Sequence, residues 1–259
     1  MAGRTFAIGD IHGDVVALQT VLMRLPPLDD QDTIVFLGDY IDRGPRSKEV
    51  IEVVREVHRI APAKVVTLRG NHEDGWLRVL DGGWPEFVVP AGNGCLAALR
   101  SFSGLPYHEG DLPTEREFES LTTGAFFPPD VVEWMRGLSY YYEDEHAIYV
   151  HAGLVEVADP SVVGGGPQSA RFAHPSKSAN PTMNLWVRTM RFFLGYRGKL
   201  VVVGHTSTDN LPPELSSFTP EDPLDMWVGE SVIATDTGCG KGGFLTCLEL
   251  PARVTYESR

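Results

Sequence analysis

Six short apolar runs, rich in β-branched residues, recur along the chain, and each is followed at once or one residue later by polar, ligand-type residues. The runs are Thr5 to Ile8, Thr33 to Leu37, Val65 to Leu68, Ala147 to Val150, Leu200 to Val203 and Ser231 to Ala234. Behind them come Gly9-Asp10, Gly38-Asp39, Arg69-Gly70-Asn71-His72, His151-Ala152-Gly153, Gly204-His205-Thr206 and Asp236-Thr237-Gly238. Runs of this length and composition read as buried strands. Between the early ones, Val15 to Leu25 and Ser47 to Ile60 return apolar residues every three or four positions, as amphipathic helices do. Alternating strands and helices predict an α/β fold. In such folds the ligand site lies outside the carboxyl ends of the strands, where short loops on a rigid sheet let side chains converge. Six polar strand ends can therefore build one site.

The stretch from Asp74 to Asp144 has no strand signal and reads as a helical insertion, with a capping box at Thr114 and Glu117. Gly164 to Pro181 and Ser207 to Gly229 read as long loops, rich in Gly, Pro and Ser in the first case and in Pro and acids in the second. No linker divides the chain, so a single domain over residues 1–259 is expected. The 22 Lys plus Arg against 35 Asp plus Glu give a net charge of −13. That charge would repel a nucleic-acid backbone, and the basic residues do not cluster, so no nucleic-acid partner is expected. No run approaches the ~18 apolar residues of a membrane span, and the N-terminus lacks the pattern of a signal peptide. Cys95, Cys239 and Cys247 suit neither a disulfide framework nor a zinc site and read as buried thiols, which fits a cytoplasmic protein.

Gly9-Asp10-Ile11-His12-Gly13, Gly38-Asp39-Tyr40-Ile41-Asp42-Arg43-Gly44 and Arg69-Gly70-Asn71-His72-Glu73 occur in that order, each after an expected strand. Any one alone would be a common turn sequence. Together, and continued by His151-Ala152-Gly153, Gly204-His205-Thr206 and Asp236-Thr237-Gly238, they resemble the metallophosphoesterase superfamily, and within it the phosphoprotein phosphatase branch. The resemblance covers roughly residues 5 to 250. It implies two mixed β-sheets packed as a sandwich with helices outside and a dinuclear metal site at the strand ends.

The chemistry suits these residue types. Phosphoester hydrolysis needs an activated water, neutralised phosphoryl oxygens and help for the leaving group, and two divalent metals supply the first two. A carboxylate can bridge two metals, while imidazole and amide oxygen fill outer positions. By resemblance, Asp10, His12 and Asp39 hold one metal and Asp39, Asn71, His151 and His205 the other, with Asp39 as bridge and a bridging hydroxide as nucleophile. Four positive charges against two ligand aspartates reconcile an acidic protein with an anionic substrate. Four of the eight histidines lie in the motifs; His58, His108, His146 and His174 do not and read as structural or solvated. His72 matches the family's non-ligand histidine that protonates the departing alcohol, and Asp42 the carboxylate that orients it. Arg43 and Arg188 match its phosphate-gripping arginines, whose planar fork suits two phosphate oxygens; the alternative for Arg188 is an exposed arginine on a helix. Arg69 and Glu73 read as supporting residues, and Asp236 either orients a ligand histidine or bonds turn amides.

The resemblance therefore implies a hydrolase of the bacterial type acting on phosphoserine and phosphothreonine, and by extension phosphotyrosine, in proteins. The alternative is a diadenosine tetraphosphatase or a broad small-molecule phosphatase. In the relatives that split dinucleoside tetraphosphates the Asp of Asp-Arg-Gly is typically replaced, and Asn-His-Asp stands where this chain has Asn71-His72-Glu73. A non-catalytic scaffold should have damaged ligands, and none is damaged here. The resemblance implies two divalent ions, with manganese expected and iron or zinc as alternatives, since the mixed oxygen and nitrogen set admits all three. Substrate-reading loops are expected around residues 82 to 130 and 155 to 181. No motif bears on oligomeric state.

Overall fold

The computed structural model describes residues 3–157, 171–218 and 222–259. All six expected strands form: β1 (Thr5–Ile8), β2 (Thr33–Phe36), β3 (Lys64–Thr67), β5 (Ile148–Val150), β8 (Val201–Val203) and β10 (Val232–Ala234). The helices α1 (Val15–Arg24) and α2 (Ser47–Ile60) follow β1 and β2. Asp14 caps α1 by accepting from the Ala17 amide, and α2 buries Val50, Ile51 and Val54 along one stripe.

The strands fall into two mixed five-stranded sheets. In the first, β1, β2 and β3 run parallel, and β11 (Thr246–Leu250) and β12 (Val254–Glu257) add antiparallel beside β1. In the second, β5, β8 and β10 run parallel, flanked by antiparallel β4 (Tyr141–Glu143) and β9 (Trp227–Val228). The period-2 alternation of a strand assigns each face. Ala7, Val35 and Leu248 of the first sheet meet Tyr149, Val202 and Ile233 of the second in the central core. On the other face of the first sheet Phe6, Ile8, Ile34 and Phe36 pack with the helices. On the other face of the second, Ile148, Val201 and Val203 meet Phe192 and Phe193 of α7 (Met190–Gly195). Helix, sheet, sheet, helix is the resulting order of layers.

Between Asn71 and Gly137 the chain is helical: α3 (Asn71–Leu80), α4 (Cys95–Ser103), α5 (Glu115–Thr123) and α6 (Pro129–Gly137), with two 3₁₀ turns after α3. The capping box at Thr114 and Glu117 is present, each side chain accepting from the other's amide. Six strands depart from the sequence expectation. The strand β4 lies inside the stretch read as strandless, because its tyrosines are half-buried and give no apolar run. The two-residue β9 lies in the Ser207–Gly229 loop. In the hairpin β11–β12 the apolar run is broken by charged Glu249, which is buried, pairs with Val254 and accepts from the Tyr256 hydroxyl at 2.6 Å. Of the loop expected over 164–181, residues 164–170 lie outside the described residues; 171–181 contain β7 (Arg171–Phe172), paired with β6 (Glu156–Val157), and a 3₁₀ turn. All three thiols are buried. Among the described residues, no helix is long and apolar enough to cross a membrane.

Candidate dinuclear metal site

The polar strand ends converge where the carboxyl ends of the two sheets meet. The turns that bring them together are backbone-strained. His12, Asp39, Asp42, Arg43 and His205 take positive φ between 46° and 70°, and among the described residues Arg253 is the one other non-glycine that does so. Non-glycine residues in this region cost roughly 1–3 kcal/mol each and persist where the surroundings force them. Two glycines make room. A Cβ on Gly70 would stand 2.1 Å from Asp39 Oδ1, and one on Gly204 would stand 2.0 Å from Asp10 Oδ1.

Asp39 is the centre. Its Oδ2 lies 3.4 Å from His12 Nε2 and 3.9 Å from His72 Nε2, and its Oδ1 3.4 Å from His151 Nε2. Asn71 Oδ1 lies 3.0 Å from His151 Nε2 and 2.7 Å from His205 Nδ1. Asp10 stands at the edge of the group, 3.9 Å from His12 Nε2, with both oxygens accepting from the His205 amide. All six positions expected to bind metal are thus in one buried cluster. Two sets meet the reach of a single ion, His12–Asp39–His72 and Asp39–His151–His205, sharing Asp39. The first contains His72 where the resemblance had Asp10.

Tautomer chemistry tests whether cations fit. His12 Nδ1 lies 3.0 Å from the Ile41 carbonyl and His151 Nδ1 2.8 Å from that of Leu37. A carbonyl only accepts, so each Nδ1 carries the hydrogen and each Nε2 presents a lone pair. At His12 that lone pair meets the Arg43 guanidinium as well as Asp39, whereas at His151 it faces two acceptors, Asp39 Oδ1 and Asn71 Oδ1. Acceptor facing acceptor in a buried site is unfavourable unless a cation lies between them, and the donor set is one that divalent transition metals take. The residues fit two such ions.

The charge state agrees. Burial, the charge of Asp236 and that of Asp39 push the Asp10 carboxyl well up. Burial also raises Asp39, but the imidazoles of His151, His72 and His12 outweigh it and hold the group well below the usual carboxylate range. Burial lowers His12, His151 and His205, aided at His12 by Arg43 and at His205 by His151 and Arg188, which favours the neutral form that ligation needs.

Around the cluster, His72 donates from Nδ1 to Asp42 Oδ2 at 2.6 Å, both buried, which leaves Nε2 facing the centre. Arg43 is half-buried with its guanidinium against His12 Nε2 and its amide bonded to the Gly94 carbonyl. Arg188 is exposed on the loop between the 3₁₀ turn Pro181–Leu185 and α7, not on a helix, and near enough to lower His205. Glu73 accepts from the amides of Asp39, Tyr40 and Gly70 at 2.9–3.0 Å, tying the Asp39 loop to the start of α3. Arg69 bonds the Tyr140 hydroxyl and the Arg136 carbonyl, a structural tie. Asp236 accepts from the Gly238 amide, as the turn-amide reading expects, and from Lys241. A cavity of about 850 Å³ is lined by Arg43, Val88, Leu96, Phe118 and Lys241. Sequence reasoning passed over Lys241 and Trp76. Trp76 follows His72 by one helical turn on α3, a spacing that by itself reads as core.

A fold of two packed mixed sheets with paired metal-ligand sets at the strand ends is that of the dinuclear phosphoesterases. The chain belongs to the calcineurin-like phosphoesterase family, whose model matches residues 3–209. Along nearly its whole length it is similar to the symmetrical bis(5'-nucleosyl)-tetraphosphatase of Dechloromonas aromatica, 26% identical over 98% of this chain and 95% of that protein. It is similar over a shorter stretch to the serine/threonine-protein phosphatase SIT4 of Candida albicans, 34% identical over 33% of this chain and 28% of that protein. Among solved structures, a putative diadenosine tetraphosphatase superposes with TM-score 0.54 at 17% identity, over 99% of this chain and 93% of that one. A protein-tyrosine phosphatase of a Shewanella species superposes with TM-score 0.51 at 18% identity, over 100% of this chain and 81% of that one. At such identities these two share the fold.

Proposed function

We propose that the protein is a metal-dependent phosphomonoesterase that removes phosphate from phosphoserine and phosphothreonine in proteins. The observation that carries this reading is the buried His72–Asp42 pair, with Nδ1 committed to the carboxylate and Nε2 turned to the metal cluster. A serine or threonine alkoxide is a poor leaving group and must be protonated as it departs; a nucleoside diphosphate leaving group hardly needs a proton. General acid catalysis is worth ~10² to 10⁴ in rate where the leaving group is basic, so a built-in acid suits a phosphomonoester of an alcohol.

Asp10, His12 and Asp39 would hold one divalent ion, and Asp39, Asn71, His151 and His205 the other. When bound, the pair supplies an activated water and neutralises the phosphoryl oxygens. Arg43 and Arg188 grip the remaining oxygens through charge-assisted hydrogen bonds. His72 holds its proton on Nε2 and delivers it to the leaving oxygen, while Asp42 keeps the ring aligned. Neutral rings at His12, His151 and His205 stay available as donors to metal rather than competing for that proton.

A second reading, hydrolysis of diadenosine tetraphosphate, is favoured by the full-length similarity to the Dechloromonas aromatica protein. The two are separated by one comparison: turnover of phosphoserine, phosphothreonine and phosphotyrosine peptides against diadenosine tetraphosphate, on one preparation loaded with manganese. The first reading expects the highest kcat/KM on phosphoserine or phosphothreonine; a preference for the dinucleotide by an order of magnitude would replace it with the second.

A further inference from the structure

The geometry points to Trp76 as a positioning residue for catalysis, the third member of a chain Trp76–Asp42–His72. This inference rests on the general-acid reading of His72. Trp76 is wholly buried, and its single polar atom, Nε1, lies 3.0 Å from each oxygen of Asp42. One of those oxygens, Oδ2, is the acceptor of His72 Nδ1. The carboxylate is therefore gripped from two sides, by the imidazole it orients and by an indole four residues further along the same helix.

Two properties make the indole more than filler. First, indole N–H donates and cannot accept, so it requires Asp42 to present a lone pair. A hydroxyl or amide in its place could reverse roles and let Asp42 turn away. Second, the ring is packed by aromatic neighbours on several sides. Phe126 and Phe127 meet it edge to face at 5.1 Å, and Phe87 at 6.0 Å, with interplanar angles of 77° to 88°. Phe126 and Phe127 come from the turn between α5 and α6, so the helical segment that packs over the first sheet reaches the acid through this ring. The backbone beneath Asp42 sits at a φ of 70°, a conformation that surrounding contacts must hold. Without the indole, Asp42 keeps His72 and the longer contact of the Cys95 thiol, 4.0 Å from Oδ2, and loses the one donor that reaches both of its oxygens.

The test uses the full-length manganese-loaded protein and two substrates, a phosphoserine peptide and p-nitrophenyl phosphate, whose leaving groups do and do not need a proton. Trp76→Phe removes the N–H and keeps an aromatic ring. Because both rates come from one preparation, their ratio is independent of how much protein is correctly folded. The ratio of phosphoserine to nitrophenyl turnover is expected to fall roughly tenfold, in kcat rather than KM, a fraction of the full general-acid effect. Replacing Trp76 by 3-benzothienylalanine, which keeps ring size and lacks only the N–H, serves if Trp76→Phe is insoluble and should give the same fall. Phe127→Leu, which disturbs packing and spares the N–H, should lower the ratio far less. Equal slowing of both substrates by either change at position 76 overturns the proposal. His72→Asn separates the two layers of the argument. If it lowers the ratio strongly and the position-76 changes do not, only Trp76 is misassigned; if it also slows both substrates equally, the general-acid reading falls and this inference with it.

Discussion

At the scale of single residues, the site divides into groups locked by several partners and exposed groups proposed to meet the substrate. Asp39, His72 and Glu73 belong to the first kind, each buried and bonded from more than one side. Arg188 belongs to the second, exposed on a loop beside His205. Its removal should leave the fold and the metal content alone. We expect Arg188→Ala to lower kcat/KM on a phosphopeptide by roughly an order of magnitude or more, since a phosphate-binding guanidinium strengthens its hydrogen bonds as charge develops. Unchanged kinetics at unchanged metal content would return it to the surface. Asp42→Asn should copy the leaving-group selectivity of His72→Asn more weakly, because the acid remains and only its partner changes; rates limited by chemistry are needed to see it.

At the scale of elements, the catalytic equipment hangs from strand ends through turns whose shape is dictated by what must pass close by. Gly204 ends β8 where the Asp10 carboxylate crosses, and a methyl group there would stand 2.0 Å from Oδ1. Gly204→Ala should therefore displace Asp10 from the His205 amide, weaken metal binding and cost about 1–3 kcal/mol as an overpacked site. Metal affinity by calorimetry and thermal unfolding check both halves; normal metal affinity would mean that Asp10 is not a ligand. These strand ends were legible in the sequence because each combines a buried strand with ligand-type residues. Asp10, Asp39, Asn71, His151 and His205 announced themselves in that way. Less legible were β4, β9, β11 and β12, whose tyrosines, short length or paired Glu249 hide their burial behind polar atoms. Trp76 was illegible for a different reason. A lone tryptophan in a helical pattern reads as core, and only the position of its Nε1 on Asp42 distinguishes it.

At the scale of the whole molecule, a chain of net charge −13 gathers Asp10, Asp39, Asp42, Glu73 and Asp236 in one buried region. Burial and mutual repulsion raise Asp10 strongly and push Glu73 up to about 8. An acid raised in the folded state retains a proton that the unfolded chain has lost, so in metal-free protein these two groups make stability fall as pH rises from the unfolded value, near 4.5 for Glu73, towards its folded value of about 8. Divalent ions reverse the trend by stabilising the ionised forms. Metal binding should release protons from the carboxylates, since burial already keeps His12, His151 and His205 neutral. Calorimetry in buffers of different ionisation enthalpy should show that release, with apparent affinity rising between about pH 6 and pH 8; affinity flat across this range would contradict the charge assignment. The central claim is that two ions sharing Asp39 carry the reaction. The most direct measurement strips the protein with a chelator and titrates manganese back while following metal content and phosphopeptide hydrolysis together. The account predicts no turnover in the stripped protein, recovery that reaches its plateau at two ions per chain, and loss of both ions and activity in Asp39→Asn. Full turnover by the stripped protein, or normal rate and metal content in Asp39→Asn, would contradict it.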